Sequence, residues 1–585
     1  MTEHSSTNLS VDSSIKIDAP ATPAAPTAYS NIPVGVAPQA VFTTSARPAP
    51  KEPRKLHPLY PFIALGSLIY AFFYTLFLYQ NHSGITYPFF VGGTCFFFFA
   101  YLKKCGLTAK KLSCFCAISL CLLGISTCMT DSLILVFLNK AAIFCLFFYL
   151  ALYSLYETKQ WTLATWFANI LQTIFASLEF IPYPFTDFSL YRKEKRASEP
   201  PREKKGKYVF YGILISLPLL WIVLLLLSGA DAVFADTLDR LLSFDIDLEA
   251  MNHVVNIGGM FLFAFFSSYC LLCRFNKHAL KEEVRDKRTH EPVIAITFTG
   301  ILSFIYAFFC LIQIIYLFGG SGTLPEGYTY SSYAREGFFQ LVFICMLNLS
   351  LVLICKKYFR EHYGLKALLT FICGCTYIMI ASSTYRMLLY IGSYHLTFLR
   401  VFVLWALLVI TLLVSGALIY IYKEEFPLVK YYVITLTLLY LAFSFAHPDY
   451  WIARYNIDHS LTFKEKNGMQ YYLEAKDSSL YYLSDLSLDA APAIFELVSD
   501  IEKNTGTAYV DSYLSIGSRW YKSYCFDLLK ESHGNPYKFS ARENPLPQAM
   551  SWRKLNFSRL SAYKAYTAYL DTHPDFPEEL DNYRY

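Results

Sequence analysis

Apolar runs of about twenty residues dominate this chain, and they restrict its fold more than any other feature. A helix rises about 1.5 Å per residue, so a run of this length crosses the roughly 30 Å hydrocarbon core of a bilayer. Backbone amides in lipid must be hydrogen-bonded within their own segment, which favours helix. The sequence therefore predicts an all-α integral membrane protein with about eleven transmembrane helices and a small, mostly helical, soluble C-terminal domain. The expected spans are residues 58–79, 84–102, 112–129, 132–155, 208–229, 252–273, 293–318, 337–355, 366–390, 397–421 and 429–446.

The composition agrees with a membrane class and excludes a nucleic-acid-binding protein. Hydrophobic residues make up 55% of the chain and aromatic residues 18%, whereas only 16% are charged, which is too little charge for a soluble fold of this size. Basic residues do not form a stripe interleaved with aromatics. Most cysteines lie within the apolar runs, where we expect small lipophilic side chains and no disulfide framework. Cys270 and Cys273 have the spacing of a redox or metal motif, but one turn of a membrane helix also produces it.

The distribution of Lys and Arg predicts how the chain is threaded through the membrane. Basic runs such as RKEKR, RFNKHALKEEVRDKR and KKYFREH fall on alternate connections, and acidic residues collect on a connection between them, in ADAVFADTLDRLLSFDIDLE. Lys and Arg are retained in the cytosol during insertion. We therefore expect a cytosolic N-terminus and, after an odd number of crossings, an extracytoplasmic C-terminal domain.

The same patterns divide the chain into five regions. The first region is rich in Ser, Thr, Ala and Pro and is expected to be disordered. Trp161 and Trp166 alternate with polar residues after the fourth span, which favours an interfacial helix on the cytosolic leaflet over a re-entrant loop. The predicted regions are a cytosolic arm at 1–55, N-terminal membrane helices at 56–156, an interfacial helix and basic cytosolic loop at 157–207, a core membrane bundle at 208–446 and an extracytoplasmic helical domain at 447–585.

Candidate functional residues are polar or ionisable side chains within the spans or at their external ends, because a charge in hydrocarbon persists only when it is paired or hydrated. The threading predicts that one group of such residues lies at similar depth. These residues form either an interhelical clamp or a ligand or ion site. Deeper in the bilayer, Lys140 beside Asn139 indicates a snorkelling side chain or a break in the helix, which we favour over a functional charge. The external candidates are Asp231, Arg335, Glu336, Gln340, Tyr385, Arg386, Tyr394 and His395.

Motifs of the common enzyme classes are missing from the sequence. It contains no glycine-rich loop followed by Lys and Ser or Thr, no histidine pair with the spacing of a zinc helix and no nucleophile elbow. We therefore predict no catalytic residue, no metal site and no cofactor, and the sequence leans against an enzyme.

Several separated blocks of the sequence resemble a known family. They are GYTYSSYAREGFFQLVFICMLNL with the preceding YLFGG, SSTYRMLLYIGSYHLTFLRVFVLW, PLLWIVLLLLSGADAVFAD, ARYNI and LSLDAAPA. Over roughly residues 205–500 the chain resembles a bacterial membrane family known as domain of unknown function 4173. The resemblance implies a multi-pass protein of the bacterial plasma membrane and supplies no activity. Arg335, Glu336, Tyr385 and Arg386 lie within the matching blocks.

Three classes of function agree with these features, with the lipid bilayer as the common partner and with the small-molecule ligand unknown. The first is a transporter or permease whose external polar cluster is an access site. The second is a membrane-embedded sensor or accessory subunit that acts through another membrane or envelope protein. The third is an enzyme on lipid-linked substrates, with Glu336 and His395 as acid and base.

Overall fold

The computed structural model describes most of the membrane region of this 585-residue chain and parts of its C-terminal region. The described ranges are 55–159, 161–198, 248–277, 288–315, 338–466, 470–475, 482–483, 485–497 and 552–572, with single positions at 216, 220, 223, 227 and 280. Nearly all of the predicted arm and most of the predicted span at 208–229 lie outside them.

A first group of helices surrounds one apolar core. Each of the first four helices packs against the next one in the sequence, and the seventh packs along the first. Thr162 caps the fifth helix by accepting a hydrogen bond from the backbone N–H of Thr165, an arrangement typical of helix starts. The helices are α1 Tyr60–Leu78, α2 Thr86–Lys104, α3 Lys111–Met129, α4 Leu133–Leu155, α5 Leu163–Ser177, α6 Tyr183–Ser198 and α7 Leu248–Asn276.

A second core lies among the helices that follow. Its buried centre includes Cys345, Leu369, Ile372 and Val414. A proline at the N1 or N2 position starts the first of these helices, where the missing backbone N–H costs nothing. The helices are α8 Pro292–Gln313, α9 Phe338–Tyr358, α10 Tyr363–Tyr394, α11 Phe398–Tyr422 and α12 Leu428–Phe445. The last of these also packs against α3 and so joins the two groups.

Nine helices in the part of the chain that the structure describes are long and apolar enough to cross a membrane. They are α1, α3, α4, α7 to α12, and each coincides with a predicted span. The predicted span at 84–102 is also a helix, α2, but it is less apolar and is not among the nine. Its sequence includes Thr, Tyr and paired Gly residues and ends in two lysines. The structure therefore supports a multi-pass membrane protein, although the predicted number of eleven spans is not reached within the described ranges.

The C-terminal region contains both helix and strand. Helix α13, Pro448–Ser460, leads into an antiparallel hairpin of β1, Leu461–Lys466, and β2, Gln470–Ala475. A further helix, α14, spans Phe557–Thr572. The hairpin differs from the mostly helical region that the sequence predicts, although the tyrosine-rich QYYLEA has the composition of a strand.

The C-terminal segments contact one end of the helix groups, which we call the tail face. It comprises the connections at 79–85, 130–132, 395–397 and 446–447, and each of them hydrogen-bonds or pairs with the C-terminal region. The opposite ends, with the connections at 105–110, 156–162, 359–362 and 423–427, form the basic face. The structure thus groups the connections on two faces in the alternation that the sequence predicts.

Candidate functional site

A stripe of polar side chains runs along the buried face of α8. The spacing of four, three, four and three residues places them on one side of the helix. The opposite side carries exposed Phe304, Phe308 and Ile301. A helix with its polar side inward and its apolar side outward is the reverse of a helix on a soluble protein. The polar stripe consists of Thr299, Ser303, Tyr306, Cys310 and Gln313, all of them buried.

Side chains from the two neighbouring helices continue the polar stripe across the bundle. The hydroxyl of Tyr306 donates to Oδ1 of Asn348 on α9 at 2.7 Å. Nδ2 of Asn348 donates to Oγ1 of Thr376 on α10 at 3.0 Å, and this hydroxyl donates to the carbonyl of Ile372. Three helices are therefore joined by a chain of side-chain hydrogen bonds, the usual link between helices in lipid.

Arg386 on α10 lies at the tail-face end of this arrangement. Arg386 is only 6% exposed, and its Nη2 donates to Oε1 of Gln313 at 3.1 Å. The same oxygen accepts a hydrogen bond from Oγ of Ser382 at 2.7 Å. A guanidinium inside a membrane span marks a functional site by default, because the bilayer penalises the charge. We call the polar stripe together with Asn348, Thr376, Ser382 and Arg386 the polar column.

Among the predicted site residues that the structure describes, Arg386 alone belongs to the polar column. Gln340, Tyr385 and Tyr394 have exposed side chains. His395 is buried at the end of α10 with a positive φ of 57°. The predictions for Asp231, Arg335 and Glu336 lie outside the described residues, so the clamp and the ligand site both remain predictions.

Most of the polar column was not found by sequence reasoning. Its signal was present in the sequence, because Thr299, Ser303, Tyr306 and Gln313 recur at helical spacing within an otherwise apolar span. They were not predicted as site residues, because hydroxyls and amides are tolerated more easily in lipid than charges and so are less conspicuous in an apolar span.

Asn139 and Lys140, the polar pair within α4, contact side chains of neighbouring helices. Asn139 is fully buried, and its Oδ1 accepts hydrogen bonds from Tyr440 and Ser444 on α12, each at 2.7 Å. Nζ of Lys140 lies 5.7 Å from the ring centroid of Tyr87, in the first turn of α2. That turn is at the tail face, so this contact agrees with a lysine stem that extends towards the interface.

A buried carboxylate fastens the C-terminal region to the tail face. Asp489 accepts hydrogen bonds from Oγ1 of Thr130 at 2.6 Å, from the backbone N–H of Asp131 at 2.9 Å and from Oγ of Ser558. Nδ1 of His447 lies 3.5 Å from its Oδ2. Burial raises the pKa of the Asp489 carboxyl, but the hydrogen bonds outweigh burial and hold the pKa below its usual value. We call the contacts that Asp489, α13, Tyr482 and the residues around α14 make with the tail face the tail clamp.

Backbone contacts extend the tail clamp to the loop between α1 and α2. The carbonyl of Leu555 accepts a hydrogen bond from the N–H of Ile85 at 2.7 Å. Nδ2 of Asn556 donates to the carbonyl of Ser83 at 3.0 Å. A Cβ at Gly84 would overlap the carbonyl oxygen of Arg553. Only glycine permits this close approach of two backbones.

The C-terminal region also holds the turn that follows the arginine-bearing helix. Asn456 on α13 donates to the carbonyl of Leu396 at 2.9 Å and accepts from its N–H at 2.8 Å. The hydroxyl of Tyr482 accepts a hydrogen bond from the N–H of Phe398 at 3.0 Å. The tail clamp thus touches both helix groups.

Ion pairs join the ends of α9, α10 and α11 at the basic face. Nζ of Lys356 contacts Glu361 and lies 2.7 Å from Oε1 of Glu424. Arg288 pairs with Glu424 at 2.8 Å, and Lys366 pairs with Glu361 at 2.8 Å. Burial raises the pKa of Glu361, but the hydrogen bonds from the two lysines outweigh it and lower the pKa to about 2.

The chain matches a protein-family model. The model described as a domain of unknown function, DUF4153, matches residues 117–497, which is roughly two thirds of the chain. The match includes the polar column and Asp489. It supports the expected kind of family, but it does not confirm the number 4173. No curated protein and no solved structure matches the chain.

Proposed function

This chain belongs to the DUF4153 family, a family of unknown function, and we propose from its own site that it is a permease-like membrane protein. In this proposal the polar column binds or passes a small polar solute between α8, α9 and α10. The observation that carries the proposal is the polar stripe of α8, which faces the bundle and leads to buried Arg386. Solute sites in membrane bundles are lined by such inward polar groups.

The proposal includes a location and an orientation. We place the protein in a bacterial plasma membrane with its N-terminus in the cytosol and the tail face outside. The grouping of basic connections at one face supports this orientation, because translocation disfavours Lys and Arg.

A flux assay with a matched pair of variants tests the proposal. Asn348→Leu removes the centre of the polar column. The control is Ser350→Leu on the same helix. Ser350 is exposed, and among the described contacts its hydroxyl hydrogen-bonds only to the backbone of its own helix. The purified chain would be reconstituted in liposomes, and the entry of a neutral amino acid, a dicarboxylate and a polyol would be followed by light scattering. We expect flux of at least one solute with wild type and Ser350→Leu, and a large loss with Asn348→Leu. Equal flux through both variants, or none above protein-free liposomes, would contradict the proposal.

The tail clamp favours a second candidate, a membrane-embedded sensor that acts through a partner protein. The C-terminal region contacts the α1–α2 loop through Asn556 and the α10–α11 turn through Asn456. A change at one contact can therefore reach the other through packed elements. Hydrogen exchange at residues 386–394 in Asn556→Ala tests this coupling, with residues 363–372 as the internal reference. Faster exchange only near the α1–α2 loop would count against the sensor.

The enzyme alternative gains no support from the described geometry. It requires Glu336 and His395 together, and Glu336 lies outside the described residues. It remains a prediction from the sequence.

A further inference from the structure

Two helices, α5 and α6, cross the basic face between α4 and α7, where the sequence predicts one interfacial helix. A 3₁₀ turn, Leu178–Phe180, joins them. We call these three elements the α5–α6 unit.

One side of the α5–α6 unit is anchored to the bundle. The ring of Trp166 stacks on Tyr149 of α4, with 4.4 Å between centroids. On α6, the buried carboxylate of Asp187 accepts a hydrogen bond from the hydroxyl of Tyr269 on α7 at 2.8 Å. These contacts fix the rotation of both helices, so the opposite side has a defined direction.

The opposite side presents a large apolar surface. Phe185 also lies beside Phe266 of α7, with 5.8 Å between ring centroids, so this surface continues the outward apolar face of a membrane-spanning helix. An exposed apolar surface of this kind would be costly in water and marks a site of association. The exposed residues are Phe167, Phe175, Leu178, Ile181, Phe185 and Phe188.

Exposed cations border this apolar surface at the end of α6. Arg192, Lys193 and Lys195 are exposed, and the guanidinium carbon of Arg192 lies 5.7 Å from the ring centroid of Phe188. Of the nearby carboxylates, Glu179 pairs with Lys277 at 3.1 Å, and Asp187 is buried. Glu194 is the remaining carboxylate in this part of α6, so the edge of the apolar surface has a net positive charge.

We propose that the α5–α6 unit is a binding surface for anionic phospholipids of the leaflet at the basic face. The phenylalanines lie among acyl chains, and Arg192, Lys193 and Lys195 contact the phosphate groups. The order of apolar and basic residues along the unit fits the depth of acyl chains and headgroups in a bilayer. The charge complementarity and the continuity with α7 select an anionic leaflet as the occupant. The inference holds for a permease and for a sensor alike.

Hydrogen exchange of the full chain in nanodiscs tests this inference. One set of nanodiscs contains phosphatidylcholine alone, and the other contains an equal mixture with phosphatidylglycerol. We expect amides of residues 183–198 to exchange about tenfold more slowly in the anionic discs, since several basic residues gain headgroup contacts. High salt should remove most of the difference.

A matched charge control separates binding at α6 from general attraction to the basic face. Arg192→Gln with Lys193→Gln and Lys195→Gln should abolish the lipid-dependent difference. Lys103→Gln with Lys104→Gln and Lys111→Gln removes three exposed charges at the same face and should preserve it. Exchange in α10 shows whether each variant is folded. Equal exchange of wild type in both kinds of disc, whether slow or fast, would overturn the proposal even without the variants.

Discussion

Replacing Lys356 by Met should destabilise the ends of α9, α10 and α11 at the basic face. Lys356 is 6% exposed, and its ammonium contacts both Glu361 and Glu424. Methionine keeps much of the apolar stem and removes the charge. Two carboxylates then lose their shared buried counter-charge.

The size of the effect follows from the burial of the three partners. Removing one partner of a buried ion pair costs about 3–5 kcal/mol. Here Glu361 and Glu424 are 36% and 40% exposed and keep Lys366 and Arg288 as partners, which reduces the cost. We therefore expect a loss of about 1–3 kcal/mol in the free energy of unfolding.

The matched control is Arg360→Met, which removes a cation just beyond the end of α9. Arg360 pairs with Glu291 at 3.2 Å, but the two side chains are 61% and 66% exposed, so the loss should be at most about 1 kcal/mol. Both variants would be unfolded with SDS in mixed micelles and followed by circular dichroism. Adding Glu424→Gln to Lys356→Met should cost less than Glu424→Gln alone. The reasoning is refuted if Lys356→Met is as stable as Arg360→Met, or if the double variant shows simple additivity.

Three further predictions concern other parts of the structure. Gly84→Ala should detach the segment around Arg553 from the α1–α2 loop, because the new Cβ overlaps the carbonyl oxygen of Arg553. Hydrogen exchange at residues 553–572 should therefore become faster. Gly92→Ala should leave this exchange unchanged, because its Cβ meets open space among the described residues. Tyr306→Phe removes the hydroxyl that donates to buried Asn348 and should lower the free energy of unfolding in SDS by about 1–2 kcal/mol. A loss of the same size in an Asn348→Leu background would contradict the hydrogen-bond explanation. The pKa of Glu361 lies at about 2, below its ordinary value of 4.5. The carboxylate therefore contributes its full stabilisation above pH 4.5, and this contribution disappears as the pH falls towards 2. The thermal unfolding temperatures of wild type and Glu361→Gln should therefore become equal at the acid end of that window.

The local sequence was sufficient for the positions of most helices. The expected span at 397–421 is helix α11, Phe398–Tyr422, and the span at 132–155 is α4, Leu133–Leu155. The hydropathy of a segment depends only on residues that are adjacent in the sequence. Where the hydropathy is high enough for the segment to enter the bilayer, the backbone must be helical. Helix α10 is longer than expected, Tyr363–Tyr394, because its polar ends continue the helix beyond the apolar stretch.

The candidate site was predictable only in part. Arg386 was recognised because a charge within an apolar span is conspicuous in the sequence. Gln313, its hydrogen-bond partner, lies on another helix, and no local pattern links the two. Tyr385 is adjacent to Arg386 in the sequence, yet its side chain is exposed, since neighbouring residues on a helix point in different directions.

The membrane class, the approximate spans and the alternation of basic connections follow from the amino-acid sequence, because each depends on the transfer of a short segment between water and lipid. The buried side of α8 and the hydrogen bond to Asp489 from Thr130, a residue far away in the chain, are known only from the folded arrangement. These features depend on which helices become neighbours, and that choice is made by packing and hydrogen bonding between distant segments.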